Sequence, residues 1–192
     1  MSEHSHDQFN AGAPVLSLSG LLRGTLIDTP QGARPIETIK MGDQVNTLDS
    51  GIQIVESISR QRAKGSGTSA PIRFAADACG NSETLLMAPQ QRILVTGWLA
   101  ELYFGVEEIF VEACSILNGG SVRREETTVM ELINLGFATR HAVIANGAAV
   151  EGDLPHEAQA FECAMGPRDW QMKGPFSAPA ATASRGHINL VS

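Results

Sequence analysis

Acyl-transfer chemistry needs a nucleophile and a base within hydrogen-bonding distance, and few side chains of this sequence suit either role. The candidate nucleophiles are the hydroxyl of Ser19 and the thiol of Cys114, and the candidate base is His141. The hydroxyl of Ser19 lacks an activating base, and its alternation with Ser17 fits an edge strand equally well. Cys114 lies in an apolar Ala-Cys-Ser-Ile-Leu run, where a free cysteine is usually core filler. His141 is predicted to be either a remnant catalytic group or a buried histidine that bonds the backbone.

Metal ligation is not predicted. The chain has three cysteines: Cys79, Cys114 and Cys163. They form no Cys-x-x-Cys pair, so neither a zinc ribbon nor a disulfide framework is indicated. The spacings of His4 with His6, and of His156 with Cys163, are not those of metal ligands. We expect no metal and no cofactor.

The elements that would position any such groups begin with residues 24–45. A short extended run leads into Pro30-Gln-Gly, where proline sets φ and glycine supplies a positive φ. Residues 35–39 are too few for a stable helix and predict one turn of 3₁₀ or α-helix. A Met-Gly-Asp tight turn then returns the chain to a strand. The pattern predicts a strand, a turn and a return strand.

Later segments repeat this pattern of short apolar runs and turns. Asp49-Ser-Gly predicts a hairpin, and Pro89 divides residues 84–95 into two strands. Residues 127–147 show strand-like alternation. Many short strands with almost no helix predict an all-β fold, with a first strand in residues 15–20.

Two further segments carry specific expectations. Residues 59–70 contain no apolar residue except alanine, which predicts a loop. Trp98, Tyr103 and Phe104 are predicted to lie in the core or between subdomains. Gly105 is predicted to turn the chain between two extended runs.

The length of 192 residues predicts one folded domain. We assign residues 1–14 to a disordered lead-in, 15–165 to the folded domain and 166–192 to a disordered tail rich in alanine, serine and proline. No secretory signal is visible. No apolar segment approaches the length that spans a membrane. The expected location is cytoplasmic, or exported by a route that needs no signal peptide.

The overall charge limits the classes of partner. The net charge is -7 and the pI is near 5.2. Such a balance argues against a nucleic-acid backbone or an anionic membrane as the partner. A protein partner remains open, and its identity is unknown.

In their order along the chain, several strings resemble the Hint (hedgehog/intein) domain, in its bacterial form. The resemblance spans roughly residues 17–155 and rests on these strings: Gly24-Thr-Leu-Ile-Asp-Thr-Pro-Gln-Gly, Pro35-Ile-Glu-Thr-Ile-Lys-Met-Gly-Asp-Gln-Val, Ala88-Pro-Gln-Gln-Arg-Ile-Leu-Val, Glu101-Leu-Tyr-Phe-Gly and Arg140-His-Ala-Val-Ile-Ala-Asn-Gly. It implies an all-β, horseshoe-shaped fold with pseudo-twofold subdomains. It also implies self-processing, in which a Cys or Ser attacks the preceding peptide carbonyl while a histidine protonates the leaving amide nitrogen.

Carried over residue by residue, the resemblance places glycine at the position of the nucleophile, Gly20. In the Thr-x-x-His motif of the family, Ala88 replaces the threonine and Gln91 the histidine. An acidic residue usually lies two positions before the last histidine, where this chain has Thr139 and then His141. Glutamine donates a hydrogen bond but delivers no proton near neutral pH.

Two hypotheses follow. The first is a degenerate, non-catalytic Hint-fold protein that acts as a binding or structural module, with no sizeable partner segment upstream. The alternative is self-cleavage of an N-terminal leader near Ser19-Gly20 by a variant route. If only the lost groups matter, the triple variant Gly20→Cys, Ala88→Thr, Gln91→His is expected to regain thiol-dependent cleavage.

Overall fold

Short apolar runs between glycine and proline turns form the strands of this protein, as seen in a computed structural model that describes residues 18–154. The strands are β1 (Leu21–Leu22), β2 (Leu26–Ile27), β3 (Arg34–Pro35), β4 (Gln44–Thr47), β5 (Gly51–Ile54), β6 (Ser57–Gly65), β7 (Ile72–Phe74), β8 (Leu85–Met87), β9 (Arg92–Thr96), β10 (Glu108–Glu112), β11 (Val122–Arg124), β12 (Thr127–Gly136), β13 (Ala142–Ala145) and β14 (Ala148–Glu151). One α-helix, α1 (Trp98–Phe104), and three 3₁₀ turns (Ile36–Thr38, Gly67–Ser69 and Ala113–Ile116) complete the described elements.

The named strands pair only in antiparallel fashion and form two sheets. The first sheet has the order β11-β7-β8-β1-β12-β6. The second has the order β10-β9-β14-β13-β2-β3, with β4 paired to β13 and β5 paired to β4. The largest fully buried side chains include Phe74 and Phe137 together with aliphatic residues of both sheets. The all-β prediction is therefore confirmed.

Several local predictions are also confirmed. The strand–turn–strand frame of residues 24–45 contains β2, β3, a 3₁₀ turn at Ile36–Thr38 and β4. The β4–β5 hairpin turns at residues 48–50. Pro89 separates β8 from β9, because proline donates no hydrogen bond to a ladder.

The aromatic residues after β9 depart from the prediction. Trp98, Tyr103 and Phe104 lie in or at the end of α1 and are 69%, 68% and 38% exposed, so the prediction that they are core residues is wrong. The extended run predicted before Gly105 is helical instead. Gly105 ends the helix with φ of 71° and donates its N–H to the carbonyl of Glu101. Seven residues are too few for periodicity to separate a helix from a strand.

Two boundaries also differ from the prediction. Residues 57–65 form β6, which pairs with β12, where a loop was predicted for residues 59–70. β6 is an edge strand with mostly exposed side chains, and such a strand needs little apolar content. In the predicted first strand, residues 18–20 are not in a ladder and β1 starts at Leu21. The predicted lead-in (1–14), tail (166–192), His4, His6, His156 and Cys163 lie outside the described residues.

The strand order brings distant segments beside the start of β1. Leu21 pairs with Met87 on one side and with Ile133 on the other. The residues just before β1 therefore lie beside those just after β8 and beside β12. On the second sheet, Val143 of β13 pairs with Thr47 of β4, so the β4–β5 turn lies next to the start of β13. These two adjacencies build the sites described below.

Candidate functional site

Gly20, at the position where the resemblance places a nucleophile, is buried and held by both of its backbone groups. Its N–H donates to Oε1 of Gln91 at 2.9 Å. Its carbonyl accepts the N–H of Ala88, also at 2.9 Å. The structure therefore brings Gly20, Ala88 and Gln91 together. We call Ser19, Gly20, Ala88, Gln91 and the adjacent Asn134 the junction.

The backbone of Gly20 suits glycine alone. Its φ is +125°, a region that side chains with a Cβ rarely adopt. A Cβ built there would lie 2.9 Å from Oδ1 of Asn134 and 3.2 Å from Cβ of Leu132. A side chain at position 20 would thus contact residues of β12, and the terminal amide of Asn134 would have to move to admit it. Gly20 therefore carries no side-chain atom, and its backbone conformation and neighbours disfavour one.

Gln91 acts as a bridge at the junction. It is 5% exposed, and its Nε2 donates to the carbonyl of Glu151 at 2.8 Å and to that of Arg92 at 3.3 Å. The partners fix the orientation of the amide, because a backbone N–H needs the oxygen and the carbonyls need the nitrogen. The side chain therefore satisfies buried backbone groups on three segments. It carries no proton that could be transferred to the nitrogen of Gly20.

Ala88 contributes only a methyl group. It is fully buried in a small apolar cluster with Met130 and Leu132. A hydroxyl at this position would have to find a polar partner within that cluster. Ala88 therefore supplies apolar packing and a backbone N–H to the junction.

The peptide just upstream of Gly20 is also engaged. The carbonyl of Ser19 accepts the side-chain amide of Asn134 at 3.5 Å, at the limit of a hydrogen bond. The carbonyl of Leu18 accepts the N–H of Gln90 at 3.2 Å. Beside the junction lies a cavity of about 10 Å³, lined in part by Gln91 and Asn134. Its volume is about that needed for one water and is too small for a larger molecule.

A second cluster, the His141 cluster, consists of His141, Asp49 and Thr139. Nδ1 of His141 lies 2.8 Å from Oδ2 of Asp49, and its Nε2 lies 3.1 Å from Oγ1 of Thr139. The other oxygen of Asp49 accepts the N–H of Ala142 at 2.8 Å. The ring of Phe137 meets the imidazole edge-on, with centroids 5.8 Å apart. His141 is 8% exposed, whereas Thr139 is exposed.

The charge on Asp49 determines where the imidazole carries its proton. Burial raises the pKa of Asp49, but hydrogen bonds from His141, Ala142 and Ser50 outweigh burial and leave that pKa below its ordinary value. The group is therefore a carboxylate at neutral pH, and Nδ1 of His141 donates to it. In a neutral imidazole, Nε2 then accepts the hydroxyl proton of Thr139. Both ring nitrogens are occupied within the cluster.

The two clusters are neighbours that share no direct hydrogen bond. Gln91 of the junction bonds the carbonyl of Glu151, and Glu151 pairs with Ala142 across β13 and β14. β14 therefore lies between the segment of Gln91 and that of His141. The ring nitrogens of His141 point to Asp49 and Thr139. His141 is buried, but its ring nitrogens bond side chains, whereas the prediction of a buried histidine had it bonding the backbone. This arrangement leaves neither ring nitrogen for Ser19 or Gly20.

Glu151 carries a further polar contact beside the junction. Its carboxylate lies 3.0 Å from the guanidinium of Arg92 and 3.5 Å from that of Arg140. The Glu151 side chain is only 10% exposed, so the two cations offset the cost of burying its charge. This group ties the start of β9 to β14 and to the loop before β13.

The two cysteines in the described part of the chain, Cys79 and Cys114, are unpaired and partly buried. Sγ of Cys114 lies 3.7 Å from a carboxylate oxygen of Glu112, and burial together with that charge raises the thiol pKa. Burial raises the pKa of Cys79 to about 11. Both thiols are therefore protonated at neutral pH and poorly nucleophilic. Among residues 18–154, no group of three or more metal-ligating side chains converges.

Sequence reasoning missed Asn134 and Asp49. Asn134 lies mid-strand in β12, and nothing in its local sequence marks it as a neighbour of Gly20. Asp49 was assigned only to a hairpin turn, because Asp-Ser-Gly is a strong turn signal.

Within the described residues no helix is long and apolar enough to cross a membrane.

Comparisons with known proteins bear on the family and the fold. A sequence profile described as "Hint domain" matches residues 19–157. A bacterial intein-like domain from Clostridium thermocellum superimposes with a TM-score of 0.53 at 15% identity, covering 71% of this chain and 100% of that one. The gp41-1 intein gives a TM-score of 0.47 at 17% identity, covering 69% and 97%. A DnaB intein from Synechocystis sp. PCC 6803 gives 0.45 at 15%, covering 71% and 100%. No curated protein matches the chain.

Proposed function

The chain belongs to the Hint domain family, and from that premise we propose that it is a non-cleaving member that serves as a binding or structural module. One observation carries the proposal. The amide N–H of Gly20, which self-processing would have to turn into a leaving amine, is bonded to the side-chain oxygen of a buried glutamine at 2.9 Å. That glutamine holds three segments of the fold together instead of donating a proton.

The chemistry of self-processing explains why this arrangement opposes cleavage. An N-to-S or N-to-O acyl shift moves the acyl group from the backbone nitrogen to the side chain of the same residue, and the nitrogen gains a proton. Gly20 has no side chain to receive the acyl group. Gln91 has no proton of suitable acidity to give, and general acid catalysis alone is worth about a hundredfold or more.

The alternative is cleavage one residue upstream, with Ser19 as the nucleophile. One observation favours it, because the carbonyl of Leu18 accepts the N–H of Gln90 at 3.2 Å and is polarised by it. The hydroxyl of Ser19 would still need a base. His141 does not supply one, since Asp49 and Thr139 occupy its ring nitrogens. The non-cleaving function is therefore the better supported of the two.

Intact mass separates the two functions. The purified chain is incubated with a thiol or with hydroxylamine, which intercept thioesters and esters, and its mass is compared before and after. We expect the full-length mass under every condition. A product that has lost its first 18 or 19 residues would overturn the proposal, and Ser19→Ala would then show whether the hydroxyl of Ser19 is responsible.

A further inference from the structure

The outer face of α1 exposes large apolar side chains. Ala100 is fully buried and anchors the helix on the core, whereas Trp98, Leu102 and Tyr103 are 69%, 68% and 68% exposed. Trp98 and Leu102 are one helical turn apart and therefore share a face. Phe104 extends this surface, with its ring centroid 6.4 Å from that of Tyr103. We call these four exposed residues the α1 patch. Exposed apolar side chains that lie together in this way mark interaction surfaces.

The border of the α1 patch is acidic. Residues 93–122 contain no Lys, Arg or His. Glu101 lies in α1, and Glu107 and Glu108 follow it just before and at the start of β10, whereas Glu112 lies at the far end of β10 opposite Arg92. Burial and the neighbouring charge of Glu107 both raise the pKa of Glu108, which indicates that negative charge is crowded at this edge. A suitable occupant therefore combines apolar side chains with positive charge.

Outside the described residues, a segment that combines apolar side chains with positive charge occurs at one end of the sequence only. Residues 166–192 contain Arg168, Lys173 and Arg185 against a single acidic residue, Asp169. Trp170 and Met172 lie between Arg168 and Lys173, and Phe176 follows three residues after Lys173. Residues 1–17, by contrast, contain Glu3 and Asp7 and no Lys or Arg. Charge complementarity thus selects the C-terminal segment.

The chain is long enough for this segment to reach the patch. β14 runs antiparallel to β9 with Val150 opposite Ile93, so the described chain leaves the sheet at the end of β9 remote from α1. Returning past β9 to Trp98 requires about 30 Å, at roughly 3.3 Å per strand residue. The residues 155–168 can span up to about 45 Å. Tethering on this scale gives a millimolar effective concentration.

We propose that the segment Pro167–Phe176 of this chain binds the α1 patch, with its apolar side chains on the patch and its cations beside the bordering carboxylates. The contact is intramolecular. It goes beyond the function proposed above and does not depend on whether the chain cleaves itself, since the α1 patch and the junction are separate surfaces.

Photocrosslinking in the full-length chain tests the contact. A benzophenone amino acid replaces Tyr103, which lies in the patch, and in a matched control it replaces Ile52, which is 54% exposed on β5. We expect an intramolecular cross-link from position 103 to residues 167–176, and none from position 52 to those residues. A mixture of isotopically light and heavy protein distinguishes intramolecular from intermolecular products. Cross-links between copies, or no cross-link to residues 167–176, would overturn the proposal.

Charge reversal tests the chemistry of the contact. In a Trp170→Phe background Trp98 is the sole tryptophan, so its emission reports on the patch. Arg168→Glu with Lys173→Glu is expected to shift the emission to that of a solvent-exposed tryptophan and to abolish the cross-link. Adding Glu101→Lys with Glu107→Lys is expected to restore both signals. Emission unaffected by the charge reversal would contradict the proposed contact.

Discussion

The junction and the His141 cluster differ in which parts of the family pattern they contain. At the junction the reactive groups of the family pattern are absent, and Gln91 now bonds the backbone that a histidine would have acted on. In the His141 cluster the histidine is present, but Asp49 and Thr139 engage both of its ring nitrogens. The comparison teaches that a histidine at a family position is not by itself evidence of a catalytic group, because its hydrogen-bond partners decide which ring nitrogen can accept or donate a proton.

The largest expected effect concerns the restoration of the family's reactive groups at the junction. We predict that Gly20→Cys with Ala88→Thr and Gln91→His does not regain cleavage, which reverses the expectation from sequence alone. A cysteine side chain introduced at position 20 would contact Asn134 and Leu132 and would need a φ that glycine alone adopts readily. Intact mass after incubation with a thiol measures the outcome. Thiol-dependent cleavage in this triple variant would show that this backbone conformation and these neighbours do not prevent the reaction.

Gly20→Ala is expected to lower the free energy of unfolding by about 3 kcal/mol, because backbone strain and a steric clash add. Gly24→Ala is the matched control. Gly24 also has a positive φ, 91°, but a Cβ there meets nothing within 4 Å, so about 1 kcal/mol is expected. Urea denaturation of both variants measures the difference. If the two substitutions cost the same, the packing of Asn134 against Gly20 is not significant.

Gln91→Ala is expected to cost about 2 kcal/mol, because the N–H of Gly20 and the carbonyl of Glu151 lose a buried partner. Gln91→Glu should not recover that loss, since one carboxylate oxygen would accept the N–H of Gly20 but the other would face the carbonyl oxygens of Arg92 and Glu151 in a buried site. Denaturant unfolding of the two variants provides the measurement. Equal stability of Gln91→Ala and the wild type would sink the assignment of Gln91 as a bridge.

The His141 cluster predicts a pH dependence. Asp49 has a folded-state pKa below its ordinary value of 3.8, so its contribution to stability is fully present above that value and is lost as pH falls through the folded-state pKa. Asp49→Asn should therefore destabilise the protein by about 1 to 2 kcal/mol at pH 7, and the difference from the wild type should shrink below pH 3.8. Thermal unfolding between pH 2 and pH 7 tests this. A difference that stays constant over the whole range would contradict it.

Thr139→Val has the smallest expected effect. Thr139 is exposed, so loss of its hydrogen bond to Nε2 of His141 should cost less than about 1 kcal/mol. The nitrogen chemical shifts of the imidazole should still report a proton on Nδ1, because Asp49 holds it there. A change of tautomer in this variant would mean that Thr139, and not Asp49, sets the proton position.

The sequence predicted the parts of this fold that have local signals. Pro89 marked the break between two strands, and the order of the motifs identified the family. The roles of Asn134 and Asp49 were not predicted, because they depend on pairing between strands that are distant in the chain. β6 and α1 were not predicted for a different reason: an exposed edge strand and a seven-residue helix produce only weak periodic patterns in the sequence.

The central claim is that the junction is a structural contact in which Gln91 holds the amide of Gly20. Amide hydrogen exchange at Gly20, followed by NMR, measures that contact most directly. The predicted result is slow exchange in the wild type, at a rate similar to that of the neighbouring amides of β1, and a marked acceleration in Gln91→Ala. Rapid exchange at Gly20 in the wild type, unchanged by that substitution, would contradict the claim.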